Sequence, residues 1–127
     1  MGWPNASKDA IFIVVMDNST ASKLVLKTDP TLRDFQEYAA ALVQERGFEK
    51  ETVAELFTLF LEECGELAKA ARKSQNIKSD PNSKAFQVSE EAADVFIYLL
   101  HLCNKLGVDL EQAFRDKEEI NKQRIWQ

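Results

Sequence analysis

Between residues 53 and 71, apolar side chains recur every three or four positions: Val53, Leu56, Phe57, Phe60, Cys64, Leu67, Ala68 and Ala71. This spacing places them along one side of an α-helix. Thr52, followed three residues later by Glu55, is a residue pair that caps a helix N-terminus. The stretch therefore predicts one long helix whose apolar side packs against other helices.

Three further helices are predicted by the same spacing and by their capping residues: from Asp29-Pro30 to Gly47, from about Ala85 to Leu106 before Gly107, and from Asp109, with Gln112, to the end of the chain. The middle of the third helix, "VFIYLLHLC", is almost entirely apolar, which indicates that it is covered on several sides, including by another subunit. The predicted fold class is all-α, a four-helix bundle spanning residues 31–127.

Residues 1–30 have a different pattern. The β-branched runs "AIFIVV" and "SKLVLKT" are separated by "DNSTA", which predicts two small strands or a short extended arm. We assign this arm no role.

Composition and charge exclude several classes of function. The net charge of −5 argues against a nucleic-acid binder, because phosphate backbones are bound by clustered Lys and Arg. The longest apolar run, "AIFIVVM", is too short to span a membrane. Cys64 and Cys103 lie within helical patterns and are expected to be reduced, buried thiols. We therefore expect a cytoplasmic protein without a membrane segment.

Two pairs of carboxylates are the strongest chemical signal. Glu63 and Glu66 are three residues apart on the second helix, and Glu91 and Asp94 are three apart on the third, so each pair shares a helix face. A single such pair is usually a solvated surface. Two pairs beside the apolar stripes of the most hydrophobic helices favour a metal site between facing helices, and oxygen ligands suit Mg²⁺ or Mn²⁺. His101 lies two turns beyond Asp94 and is interpreted as a core or interface histidine.

Lys117, Asn121 and Arg124 follow one another at helical spacing near the chain end. Taken alone they indicate a basic helix end that complements the helix dipole. Beside a metal site, they are also suited to contact phosphate. Tyr98, one turn after Asp94, either packs in the core or contacts a ligand.

Four elements of the chain, in this order, resemble the MazG-like all-α nucleotide pyrophosphohydrolases: "ERGFEK", "EECGE", "EAAD" and "DKEEINKQR". The resemblance implies Mg²⁺-dependent hydrolysis of a nucleoside triphosphate, between the α and β phosphates, to a monophosphate and pyrophosphate. It implies that Glu63, Glu66, Glu91 and Asp94 bind metal, that Lys117, Asn121 and Arg124 contact phosphate or sugar, and that Phe48 lines the base pocket. Glu62 is then the candidate general base. The resemblance also implies a homodimer or homotetramer and a role in removing unwanted nucleotides.

Two alternatives remain at this stage. The chain could be a non-catalytic helical interaction module that binds a partner through its acidic face. It could also be a related phosphohydrolase acting on a nucleoside diphosphate or a phosphoribosyl metabolite. An interaction module would not need Lys117, Asn121 and Arg124 at helical spacing together with two carboxylate pairs, which argues against the first alternative. The sequence does not distinguish the second alternative from a nucleoside triphosphate pyrophosphohydrolase.

Overall fold

The computed structural model describes residues 21–77 and 87–126, which contain four α-helices and no strand. In chain order the helices are α1 (Leu32–Arg46), α2 (Val53–Ser74), α3 (Val88–Leu106) and α4 (Leu110–Lys122). The all-α prediction is confirmed. None of the described helices is long and apolar enough to cross a membrane.

Helix α1 begins two residues later than the sequence predicts. Its N-cap is Thr31, whose hydroxyl accepts a hydrogen bond from the Asp34 N–H at 3.2 Å. The Asp34 carboxylate accepts one from the Thr31 N–H at 2.9 Å. This reciprocal pair satisfies two backbone donors, so it defines the helix start in place of Asp29 and Pro30.

The predicted glycine termini are confirmed. Gly47 and Gly107 have φ values of +72° and +69°, a left-handed conformation that glycine adopts without steric cost. The residue after each glycine donates its backbone N–H to a carbonyl of the last helical turn, Phe48 to Val43 at 2.9 Å and Val108 to Cys103 at 2.8 Å. Each helix therefore ends in the hydrogen-bonding pattern typical of a glycine C-terminus.

Helix α4 begins as predicted, because the Asp109 side chain accepts a hydrogen bond from the Gln112 N–H at 3.1 Å. It ends at Lys122, so the predicted continuation to the chain end is wrong. The Arg124 N–H donates to the Asn121 carbonyl at 3.0 Å, a three-residue bond that tightens the last turn. Ile125 and Trp126 are exposed beyond it, and their apolar side chains give no packing that would extend the helix.

The N-terminal segment is described only in part. Residues 21–31 form neither helix nor strand, so the strand predicted at "SKLVLKT" is wrong, whereas the alternative of a short extended arm stays a prediction. The residues that the structure describes contain no strand that could pair with this segment. An unpaired strand would leave its backbone N–H and C=O groups without partners. The first predicted strand, at 10–15, lies outside the described residues.

The described part of the chain divides into two compact units: one contains residues 21–50 and 103–126, and the other contains residues 51–77 and 87–102. Helices α1 and α4 belong to the first unit, and α2 and most of α3 belong to the second. In the first unit the core includes Ala39 and Leu42 of α1.

A buried amide also stabilises the first unit. The Gln36 side chain is 1% exposed. Its Nε2 donates to Asn104 Oδ1 at 3.0 Å and to the Val108 carbonyl at 2.9 Å, and its Oε1 accepts from the Leu110 N–H at 2.8 Å. Every polar group of this side chain therefore has a partner, and the amide joins α1 to the turn that precedes α4.

We expect Gln36→Leu to lower the free energy of unfolding by about 1–3 kcal/mol, because leucine leaves the part-buried Val108 carbonyl and Leu110 N–H without their side-chain partner. Urea denaturation measures the loss. Gln44→Leu, an exposed glutamine on the same helix, is the control and should change stability by less than about 0.5 kcal/mol. Equal effects of the two substitutions would contradict a stabilising role for the buried amide.

Candidate metal centre

Helix α2 supplies two of the candidate ligands. The predicted capping box is confirmed: the Thr52 hydroxyl accepts from the Glu55 N–H at 3.2 Å, and the Glu55 carboxylate accepts from the Thr52 N–H at 2.7 Å. Leu56 of the predicted apolar stripe is completely buried, and Ala70, which lies outside that stripe, is almost completely buried. Glu63 and Glu66 lie between these two residues and are partly buried. Burial of Leu56 and Ala70 therefore places Glu63 and Glu66 on the partly buried side of α2.

Helix α3 brings a third carboxylate to the same place. Carboxylate oxygens of Glu63, Glu66 and Glu91 lie within 4.8 Å of one another. Glu91 is only 6% exposed, which is rare for a charged side chain. The structure thus brings together three of the four predicted ligands, which we call the carboxylate cluster.

Two oxygens of the carboxylate cluster have no partner. Glu63 Oε2 and Glu91 Oε2 are buried and accept no hydrogen bond from the part of the chain that the structure describes. A buried charged oxygen without a partner is costly, whereas a bound cation compensates it. Hard divalent cations such as Mg²⁺ prefer this all-oxygen ligand set, so the residues present fit the metal that the sequence predicts.

The carboxylates also raise one another's pKa values. Burial, followed by the negative charges of Glu66, Asp94, Glu91 and Glu62, raises the pKa of Glu63 to about 7. Burial and the adjacent Glu66 carboxyl raise the pKa of Glu91. Without a cation, the cluster therefore holds a proton near neutral pH.

Two of the predicted carboxylates lie outside the carboxylate cluster. Asp94 is exposed, one turn beyond Glu91 on α3, and its charge contributes to the raised pKa of Glu63 and of Glu91. Glu62 is also exposed and precedes Glu63 on α2, about 100° away around the helix. Its charge contributes to the raised pKa of Glu63 as well. Both carboxylates are therefore near the cluster and accessible to water.

Tyr98 lies one turn beyond Asp94 and is half-buried. Its pKa is raised by burial and then by the charges of Glu51, Glu63, Asp94 and Glu62. Tyr98 is therefore close enough to the predicted ligands to share their electrostatic field.

His101 is 7% exposed, and its Nδ1 lies 4.0 Å from Glu51 Oε2. Its interpretation as a core histidine is confirmed. Sequence reasoning missed Glu51, because periodicity relates residues on one helix and carries no signal for a contact between α3 and the residue that precedes α2.

The other predicted contact residues belong to the first unit. Lys117 on α4 is exposed, and Asn121 is partly buried, with an Oδ1 that is buried and accepts no hydrogen bond from the described residues. Arg124 is exposed and lies beyond the end of α4, so its predicted place on the helix face is wrong. Phe48 is 44% exposed in the turn after α1.

We expect the metal-free protein to lose stability as the pH rises from 5 to 7.5. The pKa of Glu63 is raised from 4.5 to about 7, so in this window the folded state binds more protons than the unfolded state. The free energy of unfolding should fall by about 2 kcal/mol, allowing for partial solvent screening. Urea denaturation in EDTA at the two pH values measures the change. Glu63→Gln should remove most of the slope, and an unchanged slope in this variant would assign it to other groups.

Comparison with known proteins supports the assignment of the fold. A family model described as phosphoribosyl-ATP pyrophosphohydrolase matches residues 32–121. The chain therefore belongs to this family of MazG-like, all-α pyrophosphohydrolases, and the resemblance found in the sequence is confirmed.

Among curated proteins, the chain is 31% identical over 115 residues to dCTP pyrophosphatase 1 of Rattus norvegicus. It is 30% identical over 113 residues to the Mus musculus protein of the same name and 28% identical over 113 residues to that of Homo sapiens. Each alignment covers 85% of this chain and 66% of the relative. The chain thus spans about two thirds of the length of these relatives.

Proposed function

We propose that this protein is an enzyme that hydrolyses a nucleoside triphosphate between the α and β phosphates, releasing a monophosphate and pyrophosphate. The observation that carries the proposal is the carboxylate cluster, whose Glu63 and Glu91 each hold a buried oxygen without a partner. Membership in a pyrophosphohydrolase family and likeness to dCTP pyrophosphatases support it. By the same likeness, dCTP is the first substrate to test.

Glu63, Glu66 and Glu91 would bind Mg²⁺, with Mn²⁺ as a possible substitute. Asp94 would be the fourth ligand, because its exposed side chain can turn toward the cluster from the same face of α3. When bound, the cation supplies positive charge that offsets the charge developing on the phosphate oxygens. An acidic protein can in this way bind an acidic substrate.

Glu62 would act as general base, because its carboxylate is exposed and need not bind metal. Its charge reaches the carboxylate cluster, so a water molecule poised there could pass its proton to Glu62 while attacking the phosphoanhydride. The water oxygen would form a bond to one of the two phosphorus atoms of the α–β anhydride, and its proton would move to the Glu62 carboxylate. The bond between that phosphorus and the bridging oxygen would break, giving a monophosphate and pyrophosphate.

Lys117, Asn121 and Arg124 would contact phosphate or sugar oxygens through their N–H donors. Phe48 would contact the base, and Tyr98 would contact the nucleoside on the α3 side of the site. The exposure of Lys117, Arg124 and Phe48 supports these roles, since each can reach a ligand from solvent. Hydrolysis of a nucleoside triphosphate to its monophosphate would serve to remove unwanted nucleotides. The free thiols of Cys64 and Cys103 support a cytoplasmic, reducing location.

A panel of substrates assayed by ³¹P NMR with Mg²⁺ tests the proposed reaction. The panel should contain dCTP, the other common nucleoside triphosphates, nucleoside diphosphates and phosphoribosyl-ATP, the second candidate substrate because the matching family model carries that name. We expect monophosphate and pyrophosphate from at least one triphosphate. Release of orthophosphate with a diphosphate would contradict the proposed bond, and no turnover of any compound would favour a non-catalytic interaction module.

We propose that the protein is a homodimer or homotetramer. Phe57 and Leu61 lie one turn apart on α2 and are 44% and 63% exposed, and Gly65 continues this face with open space above it. This exposed apolar face of α2 is the surface at which we place the subunit interface.

Sedimentation at micromolar concentration should show a species at least twice the chain mass of 14.4 kDa. Leu61→Glu should shift the protein toward monomer, because it places a charge on the apolar face. Lys69→Glu, a charge change elsewhere on α2, is the control. Sedimentation of the wild type as a monomer would contradict the oligomer.

A further inference from the structure

The buried histidine has no role in the proposed reaction. Glu91, Asp94, Tyr98 and His101 follow one another on α3 at spacings of three, four and three, so they share one face of the helix. Along the helix axis His101 lies about 15 Å from Glu91, beyond the reach of a side chain that binds the same cation. His101 therefore belongs to the far end of the face that carries the predicted metal ligands.

We infer that His101 is a positioning residue: its imidazole holds the Glu51 carboxylate at the Tyr98 end of this α3 face. Glu51 Oε2 lies 4.0 Å from His101 Nδ1, and the imidazole is 7% exposed. The inference rests on one part of the proposed function, namely that the nucleoside binds beside Tyr98.

The location of Glu51 explains why its side chain needs a partner. Glu51 immediately precedes Thr52, whose backbone and side chain are fixed by the capping box of α2. The backbone of Glu51 is thereby anchored, but its side chain is 27% exposed and can turn toward water. The Nδ1 of the buried His101 side chain lies 4.0 Å from this carboxylate, beyond hydrogen-bond distance, and provides an electrostatic partner.

The Glu51 carboxylate also acts on Tyr98. Among the charged groups, Glu51 contributes most to the raised pKa of the Tyr98 phenol, ahead of Glu63, Asp94 and Glu62, although burial contributes more than any charge. If Glu51 loses its imidazole partner, its negative charge can move relative to the phenol. Nucleoside binding should then weaken, whereas the carboxylate cluster should be unaffected.

Kinetics of two variants separate positioning from simple packing. In His101→Phe the ring volume is retained but the Nδ1 donor is lost, and KM for the best triphosphate should rise roughly tenfold with kcat within about threefold of wild type. In His101→Asn the amide nitrogen provides a donor near the Nδ1 position, and KM should return to within about threefold. If His101 only fills space, asparagine should be the worse substitution, and that result would overturn the inference.

The sequence contains one histidine, so its imidazole gives a single set of ¹⁵N signals without assignment. At pH 8 we expect these shifts to show a proton on Nδ1, which faces the Glu51 carboxylate. Glu51→Gln should shift the signals, and Glu49→Gln, a nearby exposed glutamate, should leave them unchanged.

These measurements distinguish failure of the proposed function from failure of the inference about His101. If the wild type hydrolyses no nucleotide, the proposed function fails and the ¹⁵N shifts alone decide the inference. If they show no proton on Nδ1, or do not respond to Glu51→Gln, His101 does not hold Glu51 and the inference is wrong whether or not the protein is an enzyme.

Discussion

Glu62→Gln should lower kcat by about 10²- to 10⁴-fold, the usual contribution of a general base. Glutamine keeps the shape of the side chain and a hydrogen-bonding oxygen but cannot accept the proton. Because Glu62 is exposed and lies about 100° from Glu63 around α2, metal affinity should change far less than the rate. Steady-state kinetics at saturating Mg²⁺, with calorimetric Mg²⁺ affinity, measure the two quantities.

Glu90→Gln is the matched control for this variant. Glu90 precedes Glu91 as Glu62 precedes Glu63, and it is exposed at the start of α3. We expect its kcat to stay within about threefold of wild type, because no step of the proposed reaction uses it. Rescue of Glu62→Gln by excess Mg²⁺ would show that Glu62 binds the cation, and the base would then be another group.

Glu91→Gln should lower kcat/KM by more than about 100-fold, since even residues that only orient a metal ligand contribute 10- to 100-fold. Its carboxylate is 6% exposed and includes an oxygen with no hydrogen-bond partner, so the amide removes charge where the cation would need it. Unlike Glu62→Gln, this variant should lose Mg²⁺ affinity together with rate.

The thermal stability of metal-free Glu91→Gln tests the role of Glu91 independently of activity. Burial and the nearby Glu66 carboxyl disfavour the charge of Glu91, so a neutral amide should make the metal-free protein more stable at pH 8. Thermal unfolding in EDTA should therefore show a higher Tm for the variant, and added Mg²⁺ should stabilise the wild type more than the variant. A lower Tm in EDTA and an unchanged response to Mg²⁺ would indicate a structural role for Glu91.

The helices could be predicted from the sequence wherever periodicity and capping residues agreed. At α2 the apolar spacing and the Thr52–Glu55 pair indicate the same start, which the structure confirms. At α1 the sequence indicates Asp29 and Pro30, whereas in the structure the reciprocal Thr31–Asp34 hydrogen bonds define the start because they satisfy two backbone donors.

The carboxylate cluster could be predicted because Glu63 and Glu66, and likewise Glu91 and Asp94, are three residues apart on apolar helices. The spacing assigns each pair to a face but does not give the side-chain directions, so the sequence could not distinguish the buried Glu91 from the exposed Asp94. Arg124 was placed wrongly because periodicity does not specify where α4 ends. The Glu51–His101 contact is long-range in sequence, and no local pattern predicts it.

The central claim is that Glu63, Glu66 and Glu91 together bind a divalent cation. Titration with Mn²⁺, followed by the loss of the free-ion signal in electron paramagnetic resonance, tests this claim without requiring a substrate. We expect saturable binding of Mn²⁺ by the wild type and an affinity at least about tenfold weaker in Glu66→Gln, because a ligand oxygen loses its charge. Glu90→Gln should bind as the wild type does. Absence of Mn²⁺ binding in the wild type, or equal affinity in the wild type and Glu66→Gln, would contradict the claim.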